Sequence, residues 1–200
     1  MVRVSFLLFA LALMLFACEN GRKETTYYFP MDSLVEAQVF TLFESGGRLS
    51  KEAVIGDKHE QAGMVNDTTG WRNELSIFAQ LNDINKASNR GLYRVEKGKR
   101  DVNSNLLIYS MECTEPRPVE YLKIYYLGDL KNLRKIEARY HEEDLLLSSA
   151  RLLSSTRELT MNFENINNKI VLTSYSITGG QKTMLGDSVQ FSVNGMITLP

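Results

Sequence analysis

Two cysteines, two histidines, one tryptophan and four prolines are all that 200 residues hold of those types. Two cysteines allow at most one disulfide, so a small scaffold stapled by several bridges is excluded. A nucleophilic triad needs a base, and only His59 and His141 are on offer. There is no Gly-rich phosphate loop, no Gly-x-Ser-x-Gly elbow and no His-Glu-x-x-His pair. Neither sign of charge is in excess, with 23 basic against 24 acidic residues. A nucleic-acid partner would call for a basic field, so none is expected. No internal repeat, low-complexity tract or domain linker interrupts the chain, and its length suits one domain with a sizeable core.

What is present begins with an apolar start. Arg3 precedes an unbroken apolar run from Phe6 to Phe16, and Leu15-Phe16-Ala17-Cys18 gives way at once to Glu19-Asn20-Gly21-Arg22. The run is short for a bilayer span and ends in a small residue, the pattern of a secretory signal over residues 1–17. Cysteine directly after the expected cut resembles the lipobox of bacterial lipoproteins. The resemblance implies diacylation of the Cys18 sulfur, cleavage before it and acylation of the new amino terminus. Phe16 departs from the small residue usual at its position. Several acyl chains make a stable anchor, because each buried methylene contributes about 0.8 kcal/mol. Loss of Arg3 with the signal leaves 22 basic against 24 acidic residues. Cys113 is then the single remaining thiol, read as a small core residue of a strand.

Residues 18–30 read as a tether and 31–200 as one globular domain. Asp32 or Ser33 can cap a helix over Leu34 to Phe43, with Glu36 at capping-box spacing and Gly46-Gly47 ending it. Ala53-Val54-Ile55 fits a short strand before a turn at Gly56-Asp57-Lys58. Asp67-Thr68-Thr69-Gly70 lead a second helix, with Trp71, Leu75, Phe78 and Ala79 on one face. Ile77, Leu81 and Ile84 widen that stripe, which reads as core packing. Arg72, Asn73, Glu74, Gln80 and Asp83 fall mostly on the other side, and 85–91 stop the helix.

From Leu92 the period becomes two. Strands are expected at Leu92 to Glu96, Leu106 to Cys113, Val119 to Leu127, Lys135 to Tyr140, Leu145 to Leu153 and then through Phe163, Val171 to Ile177, Thr183 to Leu185, and Val189 to Val193. Turns are expected at Lys97 to Asp101, Gly128-Asp129, 165–168, Gly179-Gly180 and Gly186-Asp187. Short strands with turns between them make an antiparallel meander. The expected class is α+β: two N-terminal helices packed on a large curved antiparallel sheet of about eight strands, with an incomplete barrel as one form of it.

His141 with Glu142 or Asp144 could hold a divalent metal only if a turn converged them, since neighbours on a strand point to opposite faces. A solvated hairpin tip is the competing reading, and His59 sits in a turn. No catalytic residue, metal ligand or cofactor site is assigned. Asp32-Ser33-Leu34, Asp67-Thr68-Thr69 and Asp187-Ser188-Val189 each resemble the Asp-Ser/Thr acceptor of envelope O-glycosylation in Bacteroidota. Ser33, Thr68 and Ser188 are thus possible acceptors. By chance about half a match is expected at average residue usage. Helix caps and a turn explain the same residues.

Trp71-Arg72-Asn73-Glu74-Leu75-Ser76-Ile77-Phe78, Leu152 to Leu159 and Tyr175 to Lys182 resemble uncharacterised lipoproteins of the Bacteroidota kind. That resemblance implies an outer-membrane address in the bacterial envelope, periplasmic or surface-facing, and carries no activity. The expectation is a membrane-anchored protein with a non-enzymatic binding or assembly role, its partner an apolar ligand or an envelope protein. By analogy of fold alone, the periplasmic lipoprotein carriers offer such an apolar concavity. An envelope hydrolase acting on sugar or lipid is the alternative.

Overall fold

A computed structural model describes residues 27–63, 65, 67–143, 152–183 and 188–200. Cys18 and most of the expected strand at 145–153 lie outside those residues, as does the stretch 184–187. The described elements run α1 (Met31–Glu44), β1 (Arg48–Ile55), β2 (Lys58–Ala62), α2 (Thr68–Glu74), α3 (Ser76–Ala79), and 3-10 turns at Gln80–Asn85 and Ala87–Asn89. Seven strands follow: β3 (Tyr93–Arg100), β4 (Leu107–Cys113), β5 (Val119–Tyr126), β6 (Leu133–Glu143), β7 (Leu152–Ile166), β8 (Lys169–Thr183) and β9 (Ser188–Thr198).

All nine strands form one antiparallel sheet in the order β2-β1-β9-β8-β7-β6-β5-β4-β3, open at both edges. The chain from β3 to β9 is a meander, as the alternation implied. The β1–β2 hairpin then joins at the far side, with β1 pairing β9 from Arg48↔Thr198 to Ile55↔Phe191. The helices are therefore not both N-terminal to the sheet, because this hairpin lies between them.

Both edges are guarded by charge. β2 is exposed throughout, with Lys58, His59 and Glu60. β3 carries Arg94, Glu96, Lys97, Lys99 and Arg100 on exposed positions and is irregular at Gly98, where φ is +77°. Such edges discourage strand addition by another chain. The turn expected over Lys97 to Asp101 is thus a bulged stretch of strand, and the chain reverses after Arg100.

α1 buries Met31, Val35, Val39 and Leu42, a helical repeat. Its start corrects the expected cap. Pro30 holds the N-cap position, Asp32 Oδ1 accepts from the neighbouring Ser33, its amide at 2.7 Å and its hydroxyl at 3.4 Å, and Glu36 pairs with Arg72 instead. Proline suits a helix start because its missing amide would have no partner there. The other end is as expected. Gly47 N donates to Leu42 O at 2.8 Å and Gly46 N to Phe43 O at 3.1 Å, with Gly46 at φ +64°. This double bond pattern satisfies carbonyls that the helix end leaves free. Tyr28 already belongs to the core, 6% exposed, its hydroxyl accepting from Gly91 N.

The second expected helix exists only as a broken series. Asp67 does cap it, accepting from Gly70 N at 2.7 Å. After Glu74, Ser76 Oγ donates to Asn73 O at 2.8 Å and Phe78 N bonds Leu75 O, a three-residue step. Serine competing for a backbone carbonyl loosens an α-helix. The inward residues explain the outcome: Leu75, Phe78, Leu81 and Ile84 recur every third position and all are fully buried. Spacing of three keeps one face in a 3-10 helix, where side chains eclipse.

Gly179-Gly180 does not end a strand. β8 runs through both glycines, paired to Arg157 and Thr156 on one side and to Phe191 and Gln190 on the other. A side chain on Gly179 would collide with Thr156 O and stand 2.8 Å from the Phe191 ring, so glycine is there for close approach. The turn at Asn167-Asn168 is borne out, with positive φ at both residues, the hairpin geometry asparagine tolerates. In β8 an irregularity lies between the pairs Asn162↔Ser174 and Phe163↔Leu172. Gln38 of α1, 3% exposed, reaches it: its Nε2 donates to Ile170 O at 3.1 Å and its Oε1 accepts from Leu172 N at 2.8 Å. One side chain thereby satisfies two backbone groups in the interior.

Candidate functional site

Strand alternation gives the sheet a face toward the helices and a face away from them. The outward face is charged and solvated. Glu112 meets Arg94 at 3.1 Å and Lys123 at 3.5 Å, Lys135 meets Glu137 at 2.8 Å, and Arg139 bridges Glu158 and Glu120. Lys135 stands 4.2 Å from the centre of the Tyr125 ring. Tyr121 and Tyr125 donate to Glu158 and Glu137, and partial burial with those carboxylates pushes both phenols up. Exposed pairs of this kind stabilise little individually.

The inward face is the informative one, and its register can be read in rows. One row is Lys51, Gly195, Tyr175, Met161 and Ile136. Tyr175, Met161 and Ile136 are sealed, at 2%, 0% and 1% exposure. The Tyr175 ring lies against Gly195, where any side chain would overlap it. Glu74, the last residue of α2, reaches this row. It accepts from Lys51 Nζ at 2.7 Å and from the Tyr175 hydroxyl. Burial and the Glu74 hydrogen bond together raise the Tyr175 pKa. The sequence pattern placed Glu74 on the solvent side of a helix. The helix instead ends at that residue, and its carboxylate is 15% exposed.

Beyond Glu74 the face stays apolar but is no longer sealed. The next row holds Ala53, Val193, Ile177 and Leu159, and the one after it Ile55, Phe191, Gly179 and Arg157. Leu159 is 2% exposed, Ala53, Val193, Ile177 and Phe191 are half-buried, and Ile55 and Val189 are 52% and 39% exposed. Three strands, β1, β9 and β8, thus carry an apolar strip about 10 Å across at ordinary strand spacing. Lys51 and Glu74 close one end of it, and Arg157 stands at its β7 side.

A separate cleft of about 490 Å³ opens at the other end of β1, lined by Leu42, Phe43, Arg48, Leu49, Val65 and Trp71. Gly46, Gly47 and Gly63 complete its wall.

The residues singled out from sequence fall elsewhere. Ser33 is exposed on the first turn of α1, Thr68 is half-buried as the first residue of α2, and Ser188 is exposed at the start of β9. They lie in three different elements rather than in loops. His141 is not at a hairpin tip: it pairs with Thr156 inside β6–β7, its Nδ1 3.0 Å from Thr156 Oγ1. No group of three His, Cys, Asp or Glu side chains able to hold a metal occurs among the described residues. Cys113 is half-buried, its Sγ donating to Leu92 O at 3.6 Å. Among the described residues no helix is long and apolar enough to cross a membrane.

Fold and face define an α+β domain built on a single open antiparallel sheet. Compared with models of known families, with curated proteins and with solved structures, the chain finds no match.

Proposed function

We propose that this chain is a lipoprotein of the bacterial envelope, held to the outer membrane through acyl chains on Cys18, and that it binds an apolar ligand rather than catalysing a reaction. The single observation behind the binding role is the strip beyond Glu74, where Ile55 and Val189 stand open on the face that buries Tyr175, Met161 and Ile136. An apolar surface left open beside a packed core marks a contact site. Its breadth favours a small ligand. A protein partner of standard size buries about 800 Å² on each side, several times what three strands and two or three rows offer. An acyl chain fits those dimensions, and curvature of the sheet toward an incomplete barrel would deepen its seat.

Two measurements test this reading. Cys18→Ser should move the protein from the membrane fraction to the soluble one; a variant that stays membrane-bound sinks the anchor. The soluble variant, titrated with a fluorescent fatty acid, should bind saturably, and Ile55→Ser with Phe191→Ser should abolish that binding. Undiminished binding by the double variant, or no saturable binding at all, would refute the role given to the strip.

A further inference from the structure

The outward side of α1 is apolar where a surface helix ordinarily carries charge. Phe40 and Phe43, one turn apart, are 46% and 47% exposed, and Ala37 is exposed beside them. Tyr27, just before the helix, is 59% exposed. Phe43 also lines the cleft of about 490 Å³, so the aromatic face borders a recess walled by Leu42, Leu49, Val65 and Trp71, with backbone and Arg48 making up its polar part. Gly47 keeps that wall thin: a side chain there would press on Leu42 O at 3.1 Å and on the Trp71 ring at 3.4 Å. Arg48 is exposed at the rim.

We infer that this face of α1 and its cleft are the surface with which the domain lies on a phospholipid bilayer, one acyl chain entering the cleft. The inference rests on the Cys18 anchor for its geometry. Tyr27 lies nine positions after Cys18, a reach of at most about 30 Å. α1 begins four residues further on, at Met31, and its 14 residues span about 21 Å. An anchor at Cys18 therefore keeps the whole helix within reach of the membrane. Tyr27 suits the headgroup level of a bilayer, and Phe40 and Phe43 suit the acyl boundary just beneath it. The charges specify which bilayer. Asp32, Glu36 and Glu44 flank the aromatic residues, and Glu36 is neutralised by Arg72. A face with no basic cluster suits zwitterionic rather than anionic lipid. Arg48 at the rim is placed to meet a headgroup phosphate.

The lone tryptophan lines the cleft, so it reports on the cleft directly. Full-length protein purified from its own membrane is reconstituted into phosphatidylcholine vesicles with ordinary or brominated acyl chains. Bromine quenches indole only at short range, so Trp71 emission should be lost in the brominated vesicles. Replacing Phe40 and Phe43 together by Ser should restore the emission while the protein still sediments with the vesicles. Both side chains are half exposed, so the fold should survive. Protein that sediments with vesicles but glows equally in both kinds overturns the docking face and leaves the anchor standing. So does a double variant quenched like the wild type. Protein found without acyl chains that still binds vesicles and is quenched supports the docking face and overturns the anchor. Protein without acyl chains that neither binds nor is quenched overturns both.

Discussion

The inward face of the sheet is apolar on both sides of Glu74, yet the two sides have different fates. On one side Met161, Ile136, Leu122 and Ile124 are fully buried, with α1 packed on β8 and the first 3-10 turn on β5. On the other, Ala53, Val193, Ile177 and Phe191 are half-buried and Ile55 and Val189 are open. Strand alternation is the same in both regions. It decides which residues turn inward, and says nothing of what will cover them. Cover depends on how far the helical segments reach across the face, and toward this end of the sheet α2 reaches only to the Lys51–Glu74–Tyr175 contact. That polar contact marks where the core stops and the open strip begins.

The comparison predicts a steep difference in mutational cost. Trp71→Ala, at 1% exposure on the sealed side, should destabilise the fold by about 3–5 kcal/mol, the range for truncating a large buried aromatic. Chemical denaturation followed by circular dichroism measures it; an unshifted midpoint would mean the sealed side is not the core. Gln38→Leu should cost about 1–3 kcal/mol, because Ile170 O and Leu172 N lose their partner in the interior. A loss below the resolution of the same denaturation experiment would show that water replaces the side chain.

Alkali sharpens the contrast. Burial raises the pKa of Tyr175 and of Tyr93, both on the sealed side. A phenol whose folded pKa lies above its unfolded value contributes stability that is intact below the unfolded pKa and declines as pH rises past it. Stability should therefore hold to pH about 10, the unperturbed tyrosine value, and fall above it. Denaturation midpoints compared at pH 8 and pH 11 check the sign; equal midpoints would contradict it. The smallest effect belongs to the open strip. Ile55→Ser should change stability by no more than about 0.5 kcal/mol, as surface substitutions do. A cost comparable to that of Trp71→Ala would mean that the strip is core after all.

Much of this architecture was legible in the chain. The switch to a period of two at Leu92, the asparagine turn before Lys169 and the glycines after α1 each mark an element correctly, because local sterics decide them. A continuous second helix is the wrong reading although the signal is present: apolar residues at 75, 78, 81 and 84 recur by threes, a spacing that an α-helix does not keep on one face and that the chain meets with two short α-helices followed by a 3-10 turn. Gly179-Gly180 shows a different limit. Glycine that permits a turn and glycine that permits close approach look alike until Thr156 and Phe191 are brought beside it. The pairing of β1 with β9, some 140 residues apart in the chain, leaves no local trace, and the open strip depends on it. Glu74 was hidden for the same reason, since its partners Lys51 and Tyr175 come from distant strands.

Photocrosslinking tests the strip most directly. The Cys18→Ser protein is incubated with a fatty acid carrying a diazirine on its chain, irradiated, digested and mapped by mass spectrometry. Labels should concentrate on peptides of β1 and β9, at Ala53, Ile55, Val189, Phe191 and Val193. Labels confined to the outward residues of β5 and β6, or scattered evenly over the chain, would contradict the assignment of the strip as the ligand's seat.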